Sequence, residues 1–238
     1  MAIVTSAPPK LLLALDVPTA DAALSLVDQF AGRCDFYKVG LELFIAAGPA
    51  FVATLRARGV DVFLDLKLHD IPNTVRQAAR RAAALDVKLL TAHASGGAAM
   101  LAAAVDGAGE GCGVLGVTVL SSLSPAELAE SWGRNPWIDV KAEVLRLAEL
   151  ADAAGAHGVV CSGAELSAVV ETFGGRLAPL VPGVRPSGAP TNDQARVVAP
   201  EAAAAQGARY LILGRAVTEA TDPLAAWDAI AFAVRPRI

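Results

Sequence analysis

The chain has 238 residues, of which 54% are hydrophobic and 18% charged, and its 20 Lys and Arg against 24 Asp and Glu give a formal net charge of −4. This composition predicts a folded domain with a large apolar core and excludes a disordered polymer. A mildly acidic chain without a lysine- or arginine-rich run is not expected to bind nucleic acid or an anionic membrane surface.

The start of the chain is predicted to be a flexible lead-in, residues 1–9, followed by one domain over residues 10–238. The lead-in has no charge followed by a long apolar core, so we expect no secretory signal. The apolar stretches are shorter than the roughly 20 residues that a membrane-spanning helix needs. The three cysteines have no metal-binding or disulfide spacing, which is typical of a reducing compartment. We therefore expect a cytoplasmic protein without a membrane partner.

Eight short apolar runs follow one another along the chain, each followed by an alanine-rich segment with helical spacing. This pattern indicates parallel strands joined by crossover helices, because a parallel connection needs a dozen or more residues. Eight such units predict an α/β protein with a closed (β/α)8 barrel, the TIM barrel; an open doubly wound sheet is the alternative. The runs span residues 11–15, 36–39, 60–66, 87–92, 114–119, 158–161, 177–181 and 210–213.

Three helix starts can be predicted from capping patterns. Ser124 and Ser162 are each followed three residues later by a glutamate, the spacing of a capping box. Asp222 precedes a proline, which is favoured at the first helical position. All three positions are therefore predicted to begin helices.

Charged residues lie where the first three runs end. In both architectures ligands bind at the carboxyl ends of the strands. Asp16 ends the first run, Lys38 lies in the second, and Asp65, Lys67 and Asp70 end the third. A lone charge of this kind is usually a solvated strand end or a structural ion pair. Buried charges are costly unless paired, so the group of Lys38, Asp65, Lys67 and Asp70 predicts a functional site.

The alternation of two lysines with two carboxylates favours protonated ammonium groups. A protonated lysine suits an acid, whereas a Schiff-base aldolase needs an uncharged lysine. An ammonium between the carboxylates also occupies the place that a metal cation would take. This arrangement therefore argues against a metal site.

Two later runs end in a glycine and an arginine. Gly183 and Arg185 follow the seventh run, and Gly214 and Arg215 follow the eighth. The loops after strands seven and eight are a frequent phosphate site in such barrels. Gln194 lies in a loop long enough to reach the same ligand. A tight turn and two ordinary surface arginines are the alternative interpretation.

The histidines give weaker signals. His93, at the end of the fourth run, could touch the site or hold a loop. His69 is expected to pack outward, and His157, at the opposite end of the barrel, is expected to be structural.

Residues 65–74, Asp-Leu-Lys-Leu-His-Asp-Ile-Pro-Asn-Thr, closely resemble the signature of the orotidine 5′-phosphate decarboxylase family. Segments 13–16, 37–40, 117–122, 181–185 and 214–215 also resemble the family in order and spacing. The resemblance therefore covers nearly the whole chain. One departure is Ser121, where many bacterial members carry threonine; the hydroxyl is retained.

This resemblance implies a homodimer that converts orotidine 5′-monophosphate to UMP and CO2, the last step of de novo UMP synthesis, without metal or cofactor. Lys67 would stabilise a carbanion at C6 and then protonate it. The resemblance assigns Lys38, Asp65, Lys67 and Asp70 to the catalytic network, with Asp70 and Thr74 reaching the partner's site. It assigns Asp16 and Lys38 to the ribose, Ser121 to the pyrimidine edge, and Arg185, Gln194, Gly214 and Arg215 to the phosphate.

Two alternatives remain open at this point. One is a metal-dependent sugar-phosphate decarboxylase or aldolase, because relatives of that kind share the D-x-K-x-x-D core. The other is a nucleotide-binding module that retains only the phosphate site.

Overall fold

The structure is a computed structural model that describes residues 7–135, 137–185 and 197–235. Its eight strands are parallel and pair in chain order, and β8 pairs with β1, so the sheet is a closed barrel. The predicted (β/α)8 barrel is confirmed, and the open doubly wound sheet is wrong. The strands are β1 (Lys10–Ala14), β2 (Phe36–Gly40), β3 (Asp61–Leu68), β4 (Leu89–His93), β5 (Gly113–Val117), β6 (Gly158–Val160), β7 (Ala178–Val181) and β8 (Tyr210–Leu213).

Every strand is followed by at least one helix, as a parallel sheet requires. The longest helix bends at Gly48, which has a φ of 66° and directly precedes Pro49. The helices are α1 (Ala20–Gln29), α2 (Leu41–Ala57), α3 (Pro72–Ala83), α4 (Ala98–Ala108), α5 (Pro125–Ser131), α6 (Val140–Ala153), α7 (Leu166–Phe173), α8 (Pro200–Ala205), α9 (Arg215–Thr218) and α10 (Pro223–Ala233).

Two of the three predicted helix caps are confirmed. Ser124 forms a reciprocal capping box with Glu127, and the Asp222 carboxylate accepts from the backbone N–H of Ala225. The prediction at Ser162 is wrong, because α7 begins four residues later at Leu166. The buried Ser162 hydroxyl donates to the Glu165 carboxylate and accepts from the backbone of Ala164 instead, which stabilises a turn after β6.

Apolar side chains fill the interior of the barrel. A second and larger apolar cluster lies between the strands and the surrounding helices. Burial on both faces explains why the strands read as continuous apolar runs. The interior cluster contains Leu12, Ala14, Phe36, Phe63, Leu89, Leu115, Leu180 and Ile212. The barrel is therefore a packed core, and a ligand can enter only at an end.

In the described parts of the chain, no helix is long and apolar enough to cross a membrane. Cys34, Cys112 and Cys161 are all buried. Of the predicted lead-in, residues 1–6 lie outside the described residues, and β1 begins at Lys10.

Candidate active site

A cavity of about 330 Å³ lies at the barrel mouth, the end formed by the carboxyl ends of the strands. Its floor includes Phe63, Leu180 and Ile212 from the interior cluster. Strands and loops from six of the eight βα units supply its predicted polar residues, which only barrel closure brings together. The predicted site residues that line the cavity are Asp16, Lys38, Asp65, Lys67, Ser121, Arg185, Gly214 and Arg215.

Asp16 and Lys38 form an ion pair on one side of the cavity. The Lys38 ammonium, whose residue is 8% exposed on β2, donates to Asp16 Oδ1 at 2.7 Å. Gly40 leaves room for this pair, because a Cβ at that position would lie 3.0 Å from Lys38 Nζ and 3.4 Å from the carboxylate. The pair therefore presents a carboxylate oxygen and a buried cation side by side.

Asp65 and Lys67 form the second ion pair, on β3. Lys67 Nζ donates to Asp65 Oδ2 at 2.8 Å. The two residues lie in a bulge, because the register of β3 against β4 shifts between Leu64 and Leu68. Lys67 has a φ of 49°, a left-handed conformation that costs a non-glycine residue on the order of 1 kcal/mol. Bulges of this kind re-aim side chains next to functional sites.

Thr91 belongs to this cluster, although the strand-end pattern does not predict it, because it is uncharged and lies inside a run. Its hydroxyl donates to Asp65 Oδ1 at 2.9 Å and accepts from the backbone N–H of Lys67 at 2.8 Å. Thr91 is fully buried on β4. The one available signal is the alternation of side chains along β4. Thr91 lies two residues after Leu89, an interior residue, and therefore on the inward face.

Arg185 and Arg215 lie at the ends of β7 and β8. Arg185 is 7% exposed, and its guanidinium donates to the carbonyl of Val184 at 2.9 Å. Burial lowers the pKa of Arg185, the nearby Arg215 lowers it further, and Glu219 opposes the change. Two neighbouring cations in a half-enclosed site favour a multiply charged anion such as a phosphate.

Two other predicted phosphate residues have different positions relative to this pair. Gly214 is the residue immediately before the short helix α9 and lines the cavity. Gln194 lies outside the described residues.

Asp70 and Thr74 do not line the cavity of their own chain. Both are exposed, and Asp70 Oδ1 accepts from the backbone N–H of Ile71 at 2.6 Å. The reason is that β3 ends at Leu68 and the chain turns outward into α3. Within the single chain, Lys38 pairs with Asp16, Lys67 pairs with Asp65, and Asp70 lies apart. The network of four charges with Asp70 in the partner's site stays a prediction.

The histidines are not among the described residues that line the cavity. Burial lowers the pKa of His93, and His69, whose ring centroid is 5.4 Å away, lowers it further. His157 lies at the opposite end, where Nε2 is 2.9 Å from the Tyr210 hydroxyl, in agreement with a structural role.

Comparisons with known proteins identify relatives over nearly the whole chain. The family model described as orotidine 5′-phosphate decarboxylase / HUMPS family matches residues 9–230. An orotidine 5′-phosphate decarboxylase of Anaeromyxobacter sp. (strain K) is 51% identical over 93% of this chain and 96% of its own length. One from Halorhodospira halophila is 48% identical over 94% and 95% of the two chains.

A solved structure matches nearly the whole chain as well. The crystal structure of orotidine 5′-phosphate decarboxylase from Lactobacillus acidophilus has a TM-score of 0.83 and 34% identity, and the match covers 96% of this chain and 100% of that one. Sequence and structure thus match over nearly the whole length of both proteins. The chain belongs to the orotidine 5′-phosphate decarboxylase / HUMPS family.

Proposed function

We propose that this protein decarboxylates orotidine 5′-monophosphate to UMP and CO2, the last step of de novo UMP synthesis, without a metal or an organic cofactor. The observation that carries the proposal is that one cavity contains both the Asp65–Lys67 ion pair and the two arginines of the candidate phosphate site. The Asp65–Lys67 pair lies on β3, and Arg185 follows β7, four strands away in the ring of eight. A ligand with a phosphate at one end and a reacting carboxylate at the other would bind across the mouth.

The lining offers a side chain to each part of the substrate. The neighbouring Arg185 and Arg215 bind the phosphate dianion. The Asp16–Lys38 pair offers an acceptor and a donor to ribose hydroxyls. The Ser121 hydroxyl would bind the pyrimidine edge; Ser121 lines the cavity from the loop after β5. This orientation brings C6 of the pyrimidine to the Asp65–Lys67 pair.

The chemistry requires charge stabilisation at C6. The bond from C6 to the carboxylate breaks, CO2 leaves, and the electron pair stays on C6. The Lys67 ammonium stabilises this carbanion electrostatically and then gives it a proton, which forms the C–H bond of UMP. The neutral amine regains its proton from solvent, so the lysine is restored.

Asp65 has two effects in this mechanism. Its carboxylate holds the Lys67 ammonium at 2.8 Å, which fixes the proton donor before the substrate arrives. It also lies beside the substrate carboxylate, so that like-charge repulsion is relieved when neutral CO2 leaves. Both effects favour the transition state over the bound substrate.

The proposal includes a homodimer in which Asp70 and Thr74 reach the cavity of the partner subunit. Both residues are exposed and do not line their own cavity, and Ile71 beside them is 67% exposed. An exposed apolar side chain between two polar groups is suited to a contact between copies. Each active site would then need both subunits.

Subunit mixing tests the shared site. Lys67→Ala and Asp70→Ala homodimers should each be nearly inactive, and a 1:1 mixture after subunit exchange should regain about a quarter of wild-type activity. This value follows because half of the dimers are mixed and each has one intact site. A control mixture of the Lys67→Ala variant with the variant that carries both Lys67→Ala and Asp70→Ala should stay inactive. No recovery despite demonstrated exchange contradicts the shared site.

The reaction itself is tested by absorbance, with orotidine 5′-monophosphate as substrate and with EDTA in a parallel sample. Turnover that the chelator leaves unchanged is expected. A metal-dependent sugar-phosphate lyase would not act on this nucleotide and would lose its own activity with the chelator. A binding module would bind UMP without turnover. Within residues 7–135, 137–185 and 197–235, no three His, Cys, Asp or Glu side chains converge as a metal site requires.

A further inference from the structure

We propose that Thr91 is a positioning residue that sets the geometry of the Asp65–Lys67 pair. The inference rests on the proposed function, since it concerns how the proton donor is held. Thr91 is fully buried and is not among the described residues that line the cavity, so we expect it to act through the charged pair and not on the substrate directly.

The hydroxyl of Thr91 connects the two charged residues by hydrogen bonds of fixed direction. The backbone N–H of Lys67 can only donate, so Thr91 Oγ1 accepts that bond at 2.8 Å. The hydroxyl hydrogen is then free for Asp65 Oδ1, 2.9 Å away. The other carboxylate oxygen, Oδ2, accepts from Lys67 Nζ at 2.8 Å. The result is a closed ring of three hydrogen bonds in which each carboxylate oxygen has its own donor.

The same hydroxyl stabilises the bulge. On β4, Leu90 pairs with Leu64 and Ala92 pairs with Leu68, so the single residue Thr91 faces residues 65–67 of β3. A bulged residue loses its regular ladder partner, and a buried backbone N–H without an acceptor is costly. The Thr91 hydroxyl supplies that acceptor to Lys67. It therefore helps to hold Lys67 at its left-handed φ of 49°.

Loss of this hydroxyl would move the proton donor. Asp65 Oδ1 would lose its Thr91 donor in a side chain that is only 12% exposed. The carboxylate would then rotate to share both oxygens with the Lys67 ammonium, and this would draw Nζ toward Asp65 and away from C6. A misplacement of about 1 Å in a preorganised site costs on the order of 100-fold in rate.

The test is the pair of variants Thr91→Val and Thr91→Ser, with orotidine 5′-monophosphate as substrate. Valine keeps the shape and removes the hydroxyl, and we expect kcat to fall about 10- to 100-fold while KM changes less than about threefold. Serine keeps the hydroxyl, and its kcat should lie within about threefold of wild type. A purely structural role would not separate kcat from KM in this way.

Thr118→Val is the matched control. Thr118 is also buried, at 2% exposure, but its hydroxyl donates to the carbonyl of Val160 at 2.7 Å and not to the charged pair. Its melting temperature should fall as in Thr91→Val, whereas kcat should stay within about threefold of wild type.

Each outcome decides a separate statement. A Thr91→Val enzyme with wild-type kcat overturns the positioning role and leaves the proposed function intact. A wild-type enzyme without activity on this nucleotide overturns the proposed function itself. Should Thr91→Val not fold, Thr91→Ala and Thr91→Ser form a second pair that differs by the hydroxyl alone. Equal kcat in that pair also overturns the inference, and a kcat at least about tenfold higher for serine supports it.

Discussion

Both ends of the barrel have paired charges, but the pairs differ in what they hold. At the amino-terminal rim, the end opposite the mouth, Arg56 donates to Asp61 at 2.9 Å and to Asp86 at 2.6 Å. Lys10 lies 3.5 Å from the same Asp61. These residues lie at the end of α2, at the start of β3, before β4 and at the start of β1, so the pairs connect element ends to one another.

The surroundings favour the charged form of Asp86 at the rim and disfavour the charged form of Arg185 at the mouth. At the rim, Arg56 lowers the pKa of Asp86, so the charged forms stabilise each other. At the mouth, burial and a second cation lower the pKa of Arg185, so its charge is held at a cost to the fold. Lys67 adds backbone strain there. An ion pair alone therefore does not indicate a functional site. A charged group that is kept in surroundings that disfavour its charge does indicate one.

The largest effect that separates the two ends is expected from Lys67→Ala. Without the ammonium, the carbanion at C6 has neither its stabilising charge nor its proton donor. We expect kcat to fall by at least about 10²–10³, while UMP still binds with an affinity close to that of wild type. Steady-state absorbance kinetics and UMP titration measure the two quantities.

Lys88→Ala is the rim control for this variant. Lys88 has an exposed side chain, 3.5 Å from Asp86. Its loss should leave kcat unchanged. Comparable losses of kcat in both variants would remove the distinction between mouth and rim, and near-normal turnover in Lys67→Ala would remove Lys67 from the mechanism.

The next effect is expected from Arg215→Ala. Loss of one of the two cations at the phosphate site should raise KM about 10- to 100-fold, because a charge-assisted contact to the phosphate dianion is lost. Arg176→Ala is the matched control, since that arginine forms an exposed pair with Asp152 at 2.9 Å. A KM of Arg215→Ala within twofold of wild type would mean that the phosphate binds elsewhere.

The sequence predicts the barrel and most of the mouth for a physical reason. The strand ends of a closed parallel sheet surround one mouth. Charges at the ends of separate runs, such as Asp16 and Arg215, therefore line the same cavity. The bulge in β3 could not be predicted, because it depends on the register against β4 and not on local residue type. The hydrogen bonds of Thr91 depend on the same bulge and could not be predicted either, although strand alternation places Thr91 on the inward face. The position of Asp70 depends on where β3 turns outward, a boundary that apolar patterning leaves open.

A smaller effect at the mouth is expected from Gly40→Ala. The added methyl would lie 3.0 Å from Lys38 Nζ, so the flexible ammonium must shift relative to Asp16. We expect KM to rise about threefold to tenfold through weaker ribose binding, with kcat less affected. Gly111→Ala, at the rim, is the control, since nothing lies within 4 Å of its added Cβ. Equal kinetics in the two alanine variants would contradict a binding role for the Asp16–Lys38 pair.

The smallest effect is expected from Asp61→Asn at the rim. This change removes the carboxylate charge that Arg56 and Lys10 share, at 2.9 and 3.5 Å. Partly exposed ion pairs contribute little, so the free energy of unfolding in urea should fall by about 0.5–1 kcal/mol, and added salt should reduce the difference. Because the pair lies at the other end of the barrel, kcat and KM should equal those of wild type. A lower kcat at unchanged stability would reverse the comparison, since the rim would then serve the reaction and not the fold.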